Sequence, residues 1–199
     1  MAAAADLPTV LVVPGLRDHV AQHWQTLLAQ QLPRVLSVPP MGREQLDCRD
    51  RVAAIERVAQ QATDPVIVVA HSGGCIMVAH WAQRTRCKVR GALLATPPDF
   101  EKPMPEGYPT IEALRDGGWL PVPRRTLPFP SIVAASRTDP LGSFLRISAL
   151  ARDWGSDLAD LGDAGHLNPA SGFGPWPLAH TFIEQLARTD PARSGSARH

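Results

Sequence analysis

Cysteine is scarce in this sequence, and neither sign of charge is in surplus. The 199 residues include 3 cysteines, too few and too irregularly spaced for a disulfide framework or a zinc ribbon. The 20 Lys and Arg residues nearly balance the 19 Asp and Glu residues, and there is no basic cluster of the kind that binds nucleic-acid phosphates. We therefore expect a reduced, cytoplasmic protein that does not bind nucleic acid.

Long apolar runs and a leader-like N-terminus are missing as well. There is no stretch of about 18 apolar residues, so we expect no membrane-spanning helix. Residues 1–6 lack a basic start, and Asp6 interrupts the apolar run, so we expect no secretory signal. Proline, by contrast, is abundant, since 20 prolines are about twice the usual share. Many lie in residues 97–130, where we predict extended loop and not helix.

Short apolar strands alternate with helices along the chain, and this pattern predicts an α/β fold of three layers. The strands are apolar on both faces, which is typical of a parallel sheet covered by helices on both sides. We expect a single domain over residues 1–188 and a flexible tail over 189–199. The predicted strands are 10–13, 35–38, 66–70, 89–95, 132–135 and 158–161, and the predicted helices are 19–31, 47–61, 75–85, 141–154 and 175–188.

The segment around Ser72 carries the strongest chemical signal. An apolar strand ends at His71–Gly74 and an apolar helix follows, which is the layout of a nucleophile elbow. Such a turn directs the serine Oγ into the crevice at the end of the strand, where helix N–H groups can hold an oxyanion. The first glycine of the usual G-x-S-x-G pattern is Ala70 here. Ser72 as a plain helix N-cap is the alternative.

A base and an acid follow in the chain order that this fold requires. Asp139 comes just after the fifth strand, and His166 lies in a glycine-flanked loop after the sixth. The carboxyl ends of parallel strands meet at one edge of a sheet, so we predict a Ser72–Asp139–His166 triad there. The alternatives are that Asp139 is a turn or cap residue, that His166 bonds only to backbone, or that the nearer Asp163 supplies the acid.

Backbone N–H groups of Gly73 and Leu16 are the candidate oxyanion donors, since the second donor is expected from the loop after the first strand. Cys75 is expected to be a buried apolar residue and a poor nucleophile. His19 and His23 have the i, i+4 spacing of metal ligands, but no third ligand completes a recognisable pattern. We therefore expect no metal and no cofactor.

The proline-rich stretch follows the fourth strand and carries Phe100, Met104, Tyr108 and Trp119. It is predicted either to roof the substrate pocket or to pack on the core as a surface excursion. If it is a roof, Trp119→Ala should change substrate preference more than stability. The candidate substrate contacts are Gly15, His71, Trp119 and Asn168.

Several separated motifs resemble those of small single-domain serine hydrolases of the α/β-hydrolase fold, the group of retinoblastoma-binding protein 9 and YdeN. The resemblance implies Ser72 as nucleophile, His166 as base and Asp139 as orienting acid. It also implies a six-stranded parallel sheet in the order 2-1-3-4-5-6 without a large lid. The motifs are Val13–Gly15, His23–Gln25, Ala70–Cys75, Ala95–Asp99, Pro128–Pro130, Ala135–Pro140, Gly165–Asn168, Ser171–Gly172 and Trp176–Pro177.

The sequence departs from the group at His19 and Val20 and in residues 41–49, which lack an expected aromatic residue. Both places are expected to border the pocket. The function predicted is that of a carboxylesterase-like serine hydrolase that cleaves small esters, thioesters or activated amides through an acyl-enzyme. The alternative is a protein-binding module with an idle triad. A nucleotide binder is disfavoured, because residues 14–17 lack a phosphate-binding glycine pattern.

Overall fold

The strands of this chain are apolar on both faces, and the fold buries both faces of the central sheet. In the computed structural model, which describes residues 8–16 and 20–189, Val10–Val13 are all 0% exposed. The six strands are β1 Val10–Val13, β2 Val35–Ser37, β3 Val66–His71, β4 Val89–Ala95, β5 Ser131–Ala135 and β6 Asp157–Asp160. The helices are α1 Trp24–Gln31, α2 Cys48–Ala59, α3 Gly73–Ala82, α4 Ile111–Asp116, α5 Phe144–Trp154 and α6 Leu178–Arg188.

The strands lie in the order β2-β1-β3-β4-β5-β6, and every neighbouring pair is parallel. One apolar cluster joins the sheet to α2, α3 and α5, and a second joins the other face of the sheet to α1 and α6. The predicted three-layer architecture and strand order are therefore confirmed. The edge strand β6 begins and ends on an aspartate, which discourages pairing with another sheet.

The proline-rich stretch contains a helix, so the prediction of loop alone is wrong. Residues 111–116 form α4, which carries no proline, and Thr110 caps it by accepting a hydrogen bond from the Ala113 N–H. Prolines flank this helix without interrupting it. The first helix is shorter than predicted and begins at Trp24, where His23 Nδ1 accepts from the Gln25 N–H at 3.2 Å.

Some predictions concern residues outside the described part of the chain. These are the N-terminal residues 1–7, His19, and the tail from residue 190 onward. Over residues 8–16 and 20–189, no helix combines the length and the apolar character needed to cross a membrane. Within the same residues, His, Cys, Asp and Glu side chains do not gather into a group of three that could hold a metal ion.

Parallel pairing brings the carboxyl ends of the strands to a single edge of the sheet. Ser72 follows β3 there, Asp139 comes four residues after β5, and His166 comes six residues after β6. Gly15 and Leu16 follow β1, the neighbour of β3 in the sheet. The fold therefore gathers segments that are far apart in sequence beside one crevice.

Candidate active site

The turn at Ser72 has the strained backbone expected of a nucleophile elbow. Ser72 has φ 54° and ψ −133°, a conformation that L-residues rarely adopt, and its side chain makes no capping hydrogen bond. The N-cap alternative therefore fails. Glycine is required at position 74, because a Cβ there would lie 2.6 Å from the Pro14 carbonyl oxygen. At Gly15 a Cβ would lie 3.0 Å from the Cβ of Ser72.

Ser72, His166 and Asp139 form a continuous chain of hydrogen bonds. His166 Nε2 lies 2.8 Å from Ser72 Oγ, and His166 Nδ1 lies 2.9 Å from one carboxylate oxygen of Asp139 and 3.0 Å from the other. A carboxylate only accepts, so Nδ1 carries the hydrogen and Nε2 accepts from the serine hydroxyl. The side chains of His166 and Asp139 are 5% and 2% exposed, which shields their contact from water.

The alternative acid and the alternative roles resolve on this geometry. Asp163 is exposed and makes no hydrogen bond to His166. Asp139 also has the turn role that was the alternative, because its Oδ1 accepts from the Leu141 N–H at 2.9 Å. The same carboxylate is hydrogen-bonded to His166. The His166 ring bonds to side chains and not to backbone.

The loops that carry the acid and the base are tied to each other. Ser136 Oγ accepts from the Ala164 N–H at 3.0 Å, and Thr138 Oγ1 accepts from the Gly165 N–H at 3.1 Å. Each bond joins the loop after β5 to the loop after β6. The distance between Asp139 and His166 therefore depends on two cross-loop hydrogen bonds that the sequence analysis did not foresee.

Asn168 supports the same loop from its other side. Its Oδ1 accepts from the N–H of Ser171 at 3.0 Å and from the Ser171 hydroxyl at 2.9 Å. The Ser171 oxygen in turn accepts from the His166 N–H at 3.0 Å. Asn168 also lines the cavity beside Ser72, so it combines a position at the predicted substrate site with a structural role.

Three non-glycine residues of the described chain have positive φ, and all three belong to this region. They are Ser72, Thr96 with φ 45° and Leu167 with φ 49°. The carbonyl oxygen of His166 accepts from Thr96 Oγ1 at 3.4 Å and from His71 Nε2 at 2.9 Å. Strained residues persist only where their surroundings hold them, and here the hydrogen bonds do so.

His71 is buried in a row of three imidazole rings. Its ring centroid lies 4.7 Å from that of His23 and 5.0 Å from that of His166. Burial is the main cause that lowers the pKa of His71 well below its usual 6.5, and the nearby His166 and His23 lower it further. A carbonyl oxygen only accepts, so Nε2 of His71 carries a hydrogen. The lowered pKa favours the neutral ring, which adds no charge beside His166.

Leu16 and Gly73, whose N–H groups are the candidate oxyanion donors, pack against each other at the elbow. A Cβ on Gly73 would lie 2.9 Å from the Leu16 Cγ, so the loop after β1 packs directly on the first residue of α3. Cys75, by contrast, is fully buried and donates from Sγ to the Ala95 carbonyl at 3.3 Å. Burial raises the pKa of the Cys75 thiol well above its usual value, which suits a core residue and not a nucleophile.

Gln25 is a site residue that the sequence analysis missed. It is 1% exposed, and its amide nitrogen donates to the carbonyls of Val13 and Val69, each at 3.1 Å. These bonds join the carboxyl ends of β1 and β3. The available signal was its place in the His23–Gln25 motif, but a glutamine in the first turn of a helix is more often exposed.

A cavity of about 590 Å³ opens beside Ser72. Of the predicted substrate contacts, Gly15, His71 and Asn168 line it. Both segments that depart from the family pattern also border the cavity. Val20 lines it from the first segment, and Arg43 lines it from residues 41–49.

Trp119 does not line the cavity, so its prediction as a substrate contact is wrong. It is 0% exposed, its Nε1 donates to the Leu46 carbonyl at 2.7 Å, and its ring meets the Phe100 ring edge-on at 5.5 Å. Both of those partners line the cavity. The proline-rich stretch therefore divides: residues 100–109 border the cavity, whereas Trp119 and later apolar residues fill the core beneath it.

A three-layer α/β fold with a serine elbow between a buried parallel strand and a helix is typical of the α/β-hydrolase class. The serine hydrolase family model matches residues 10–185, and the chain belongs to that family. A YdeN-like hydrolase from Pectobacterium atrosepticum is 32% identical, with 92% of this chain and 91% of that chain covered and a TM-score of 0.76. This likeness assigns the chain to the YdeN-like hydrolases.

More distant structures share the fold. The ydeN gene product of B. subtilis is 18% identical, with 92% of this chain and 100% of that chain covered and a TM-score of 0.72. Est1E from Butyrivibrio proteoclasticus, solved with ferulic acid bound, is 12% identical, with 90% and 86% covered and a TM-score of 0.65. Among curated proteins, none matches the chain.

Proposed function

We propose that this hydrolase cleaves small esters, and by the same chemistry thioesters or activated amides, with Ser72 as nucleophile. The observation that carries the proposal is the hydrogen-bond chain Ser72–His166–Asp139 beside an apolar cavity. The cavity volume of about 590 Å³ lies within the usual range of small-molecule sites. We infer a carboxylesterase-like activity that requires no metal and no organic cofactor.

The first half of the reaction forms an acyl-enzyme. Ser72 Oγ attacks the ester carbonyl while His166 Nε2 takes the hydroxyl proton, and the carbonyl electrons move onto oxygen. Asp139 accepts from Nδ1 throughout, so it orients the ring and stabilises the imidazolium that forms. Collapse of the tetrahedral intermediate breaks the ester bond, and His166 gives its proton to the leaving alkoxide. The acyl group remains on Ser72.

Water completes the reaction in the second half. His166 removes a proton from water, the hydroxide attacks the acyl carbonyl, and the proton returns to Ser72 as the acid leaves. The N–H groups of Gly73 and Leu16 are proposed to stabilise the oxyanion in both halves. One such donor contributes about 3 kcal/mol of transition-state stabilisation in comparable enzymes.

The compartment follows from thiol chemistry. Cys48, Cys75 and Cys87 are all free thiols, and Cys48 and Cys75 are buried. We infer a reducing compartment such as the cytoplasm, where free cysteines persist.

Active-site labelling tests the proposal. We expect a fluorophosphonate probe to label the wild-type protein covalently, and 4-nitrophenyl acetate and butyrate to be hydrolysed. Ser72→Ala should lose both signals. Ser37→Ala is the matched control, because Ser37 is exposed at the end of β2 and does not line the cavity. A folded wild-type protein that neither labels nor hydrolyses these esters would favour the protein-binding module.

A further inference from the structure

The described residues that line the cavity beside Ser72 are mostly apolar. None of them is Asp or Glu, and Arg43 alone among them is Lys or Arg. From these residues a ligand therefore meets mostly hydrocarbon and one positive group. The larger apolar lining residues are Leu16, Leu46, Phe100, Met104 and Leu141.

Arg43 has no counter-ion within the described part of the chain, since none of its nitrogens lies within 4.0 Å of a carboxylate oxygen. Its side chain is exposed at the cavity, and its neighbour Glu44 does not line the cavity. Arg124 and Arg146, by contrast, each pair with two carboxylates. Among the described residues, other exposed arginines such as Arg49 also form no salt bridge, but Arg49 does not line the cavity. The guanidinium of Arg43 is thus available to an anion that enters the cavity.

The loop that carries Arg43 is held in place on both sides of it. Buried Arg51 donates from Nη2 to the Gly42 carbonyl at 2.6 Å and from Nε to the Gln45 carbonyl at 2.7 Å. The indole Nε1–H of Trp119 donates to the Leu46 carbonyl at 2.7 Å. These bonds hold the backbone around Arg43 at the cavity. Binding of an anion there therefore costs little conformational entropy in the loop.

We propose that Arg43 makes the enzyme selective for esters that carry a carboxylate remote from the scissile bond. This inference rests on the proposed function, because it names the substrate class of the same cavity. A guanidinium matches a carboxylate with two parallel N–H···O bonds. The apolar lining holds the hydrocarbon segment that joins the carboxylate to the ester, as in a monoester of a dicarboxylic acid.

The test compares charged and neutral esters of equal length. The probes are the mono-4-nitrophenyl esters of adipic, pimelic and suberic acids, each beside the same compound with its free carboxylate capped as a methyl ester. For at least one length, we expect kcat/KM of wild type to favour the anionic ester by about two- to fivefold, the range expected for one exposed charge pair. This ratio should fall as NaCl is raised to about 0.5 M, because salt screens exposed charges.

Substitutions at position 43 test whether the Arg43 side chain causes the kcat/KM ratio between anionic and neutral esters. Arg43→Met should lower it to near one, Arg43→Lys should retain part of it, and Arg43→Glu should invert it. Arg49→Met is the matched control, because Arg49 is an exposed arginine in the same region that does not line the cavity. The control should keep the wild-type ratio and its salt dependence.

The failure of this inference and the failure of the proposed function look different. If wild type hydrolyses both esters in a Ser72-dependent way with a ratio near one at every length, Arg43 selectivity is wrong and the hydrolase proposal stands. If Arg43→Met keeps the wild-type ratio, the selectivity belongs to another group. If wild type hydrolyses neither ester, the proposed function and this inference fall together.

Discussion

Two sets of active-site residues differ in how far they are exposed. Ser72, Asp139 and His166, the proposed reacting groups, are hydrogen-bonded to one another and have strained or buried surroundings. Residues 41–46 and 100–109 lie on loops and include exposed side chains such as Arg43. The proposed reacting groups are therefore enclosed, whereas the residues proposed to contact the rest of a substrate lie partly in solvent.

The difference indicates how the two parts should respond to substitution. A change among the reacting groups should remove rate and leave binding and stability nearly intact. A change beneath the loops should alter stability and substrate binding while the hydrogen-bond chain of the three reacting residues persists.

Asp139→Asn should lower kcat for 4-nitrophenyl butyrate by about 10⁴-fold, because an amide in place of the carboxylate favours the wrong imidazole tautomer. The measurement is steady-state kinetics beside thermal unfolding, which should change little. Asp163→Asn is the matched control, since Asp163 is the exposed acid near His166 in sequence. An equal loss in the control, or none in Asp139→Asn, would remove Asp139 from its proposed role.

Trp119→Ala should lower the free energy of unfolding by about 3–5 kcal/mol, because it empties a fully buried aromatic site. Urea unfolding measures this loss. Trp119→Phe keeps most of the ring volume but deletes the N–H that bonds Leu46. It should cost less stability and raise KM more than it lowers kcat. A fully stable Trp119→Ala protein with altered ester preference would restore Trp119 as a direct substrate contact.

Gly74→Ala should lower the free energy of unfolding by about 1–3 kcal/mol, the usual cost of overpacking. The new Cβ would press on the Pro14 carbonyl at 2.6 Å and displace the loop that carries Gly15, so kcat should fall too. Gly174→Ala is the control, because its nearest contact would be 3.9 Å away. Unchanged kcat together with lost stability would show that the elbow tolerates movement of the β1 loop.

His71→Gln should flatten the pH dependence of stability. In the folded protein the pKa of His71 is lowered below 6.5, so the unfolded chain binds more protons as pH falls below that value. Wild-type stability should therefore be complete above about pH 7 and decline on acidification, by at most about 1.4 kcal/mol per pH unit from this group. Burial also lowers the pKa of His80. Its contribution to the pH dependence of stability is present in both proteins, so it cancels in the comparison.

Urea unfolding at pH 7.5, 6.5 and 5.5 measures the two slopes. The expected difference is a smaller acid-dependent loss in His71→Gln than in wild type. Equal slopes would mean that the pKa of His71 is not lowered in the folded protein, which would contradict a ring kept neutral beside His166.

Several parts of the fold and the site were predictable because local patterns determine them. Fully apolar strands imply a covered parallel sheet, and a small-residue turn after such a strand implies an elbow at Ser72. The chain order Ser72, Asp139, His166 then follows the order of the strands. The preference for Asp139 over Asp163 rested on chain length, because three residues are few for a carboxylate to fold back onto His166, and the hydrogen bond between Asp139 and His166 supports it.

Other features depend on which segments meet, and no local pattern reports that. Trp119 resembled a pocket aromatic, yet the chain turns its ring under Leu46 and Phe100. Gln25 resembled an exposed helical residue, yet it joins two strands. In both cases the partner lies far away in sequence, so only tertiary packing determines the role.

Periodicity and turn chemistry act over a few neighbouring residues, so the strand pattern, the elbow and the three candidate reacting groups could be predicted from the sequence alone. Tertiary packing set the hydrogen-bond distances, the lowered pKa of His71, the burial of Trp119 and the place of Arg43 at the cavity. Those properties arise from burial and from contacts across the chain, and both exist only once the layers have packed.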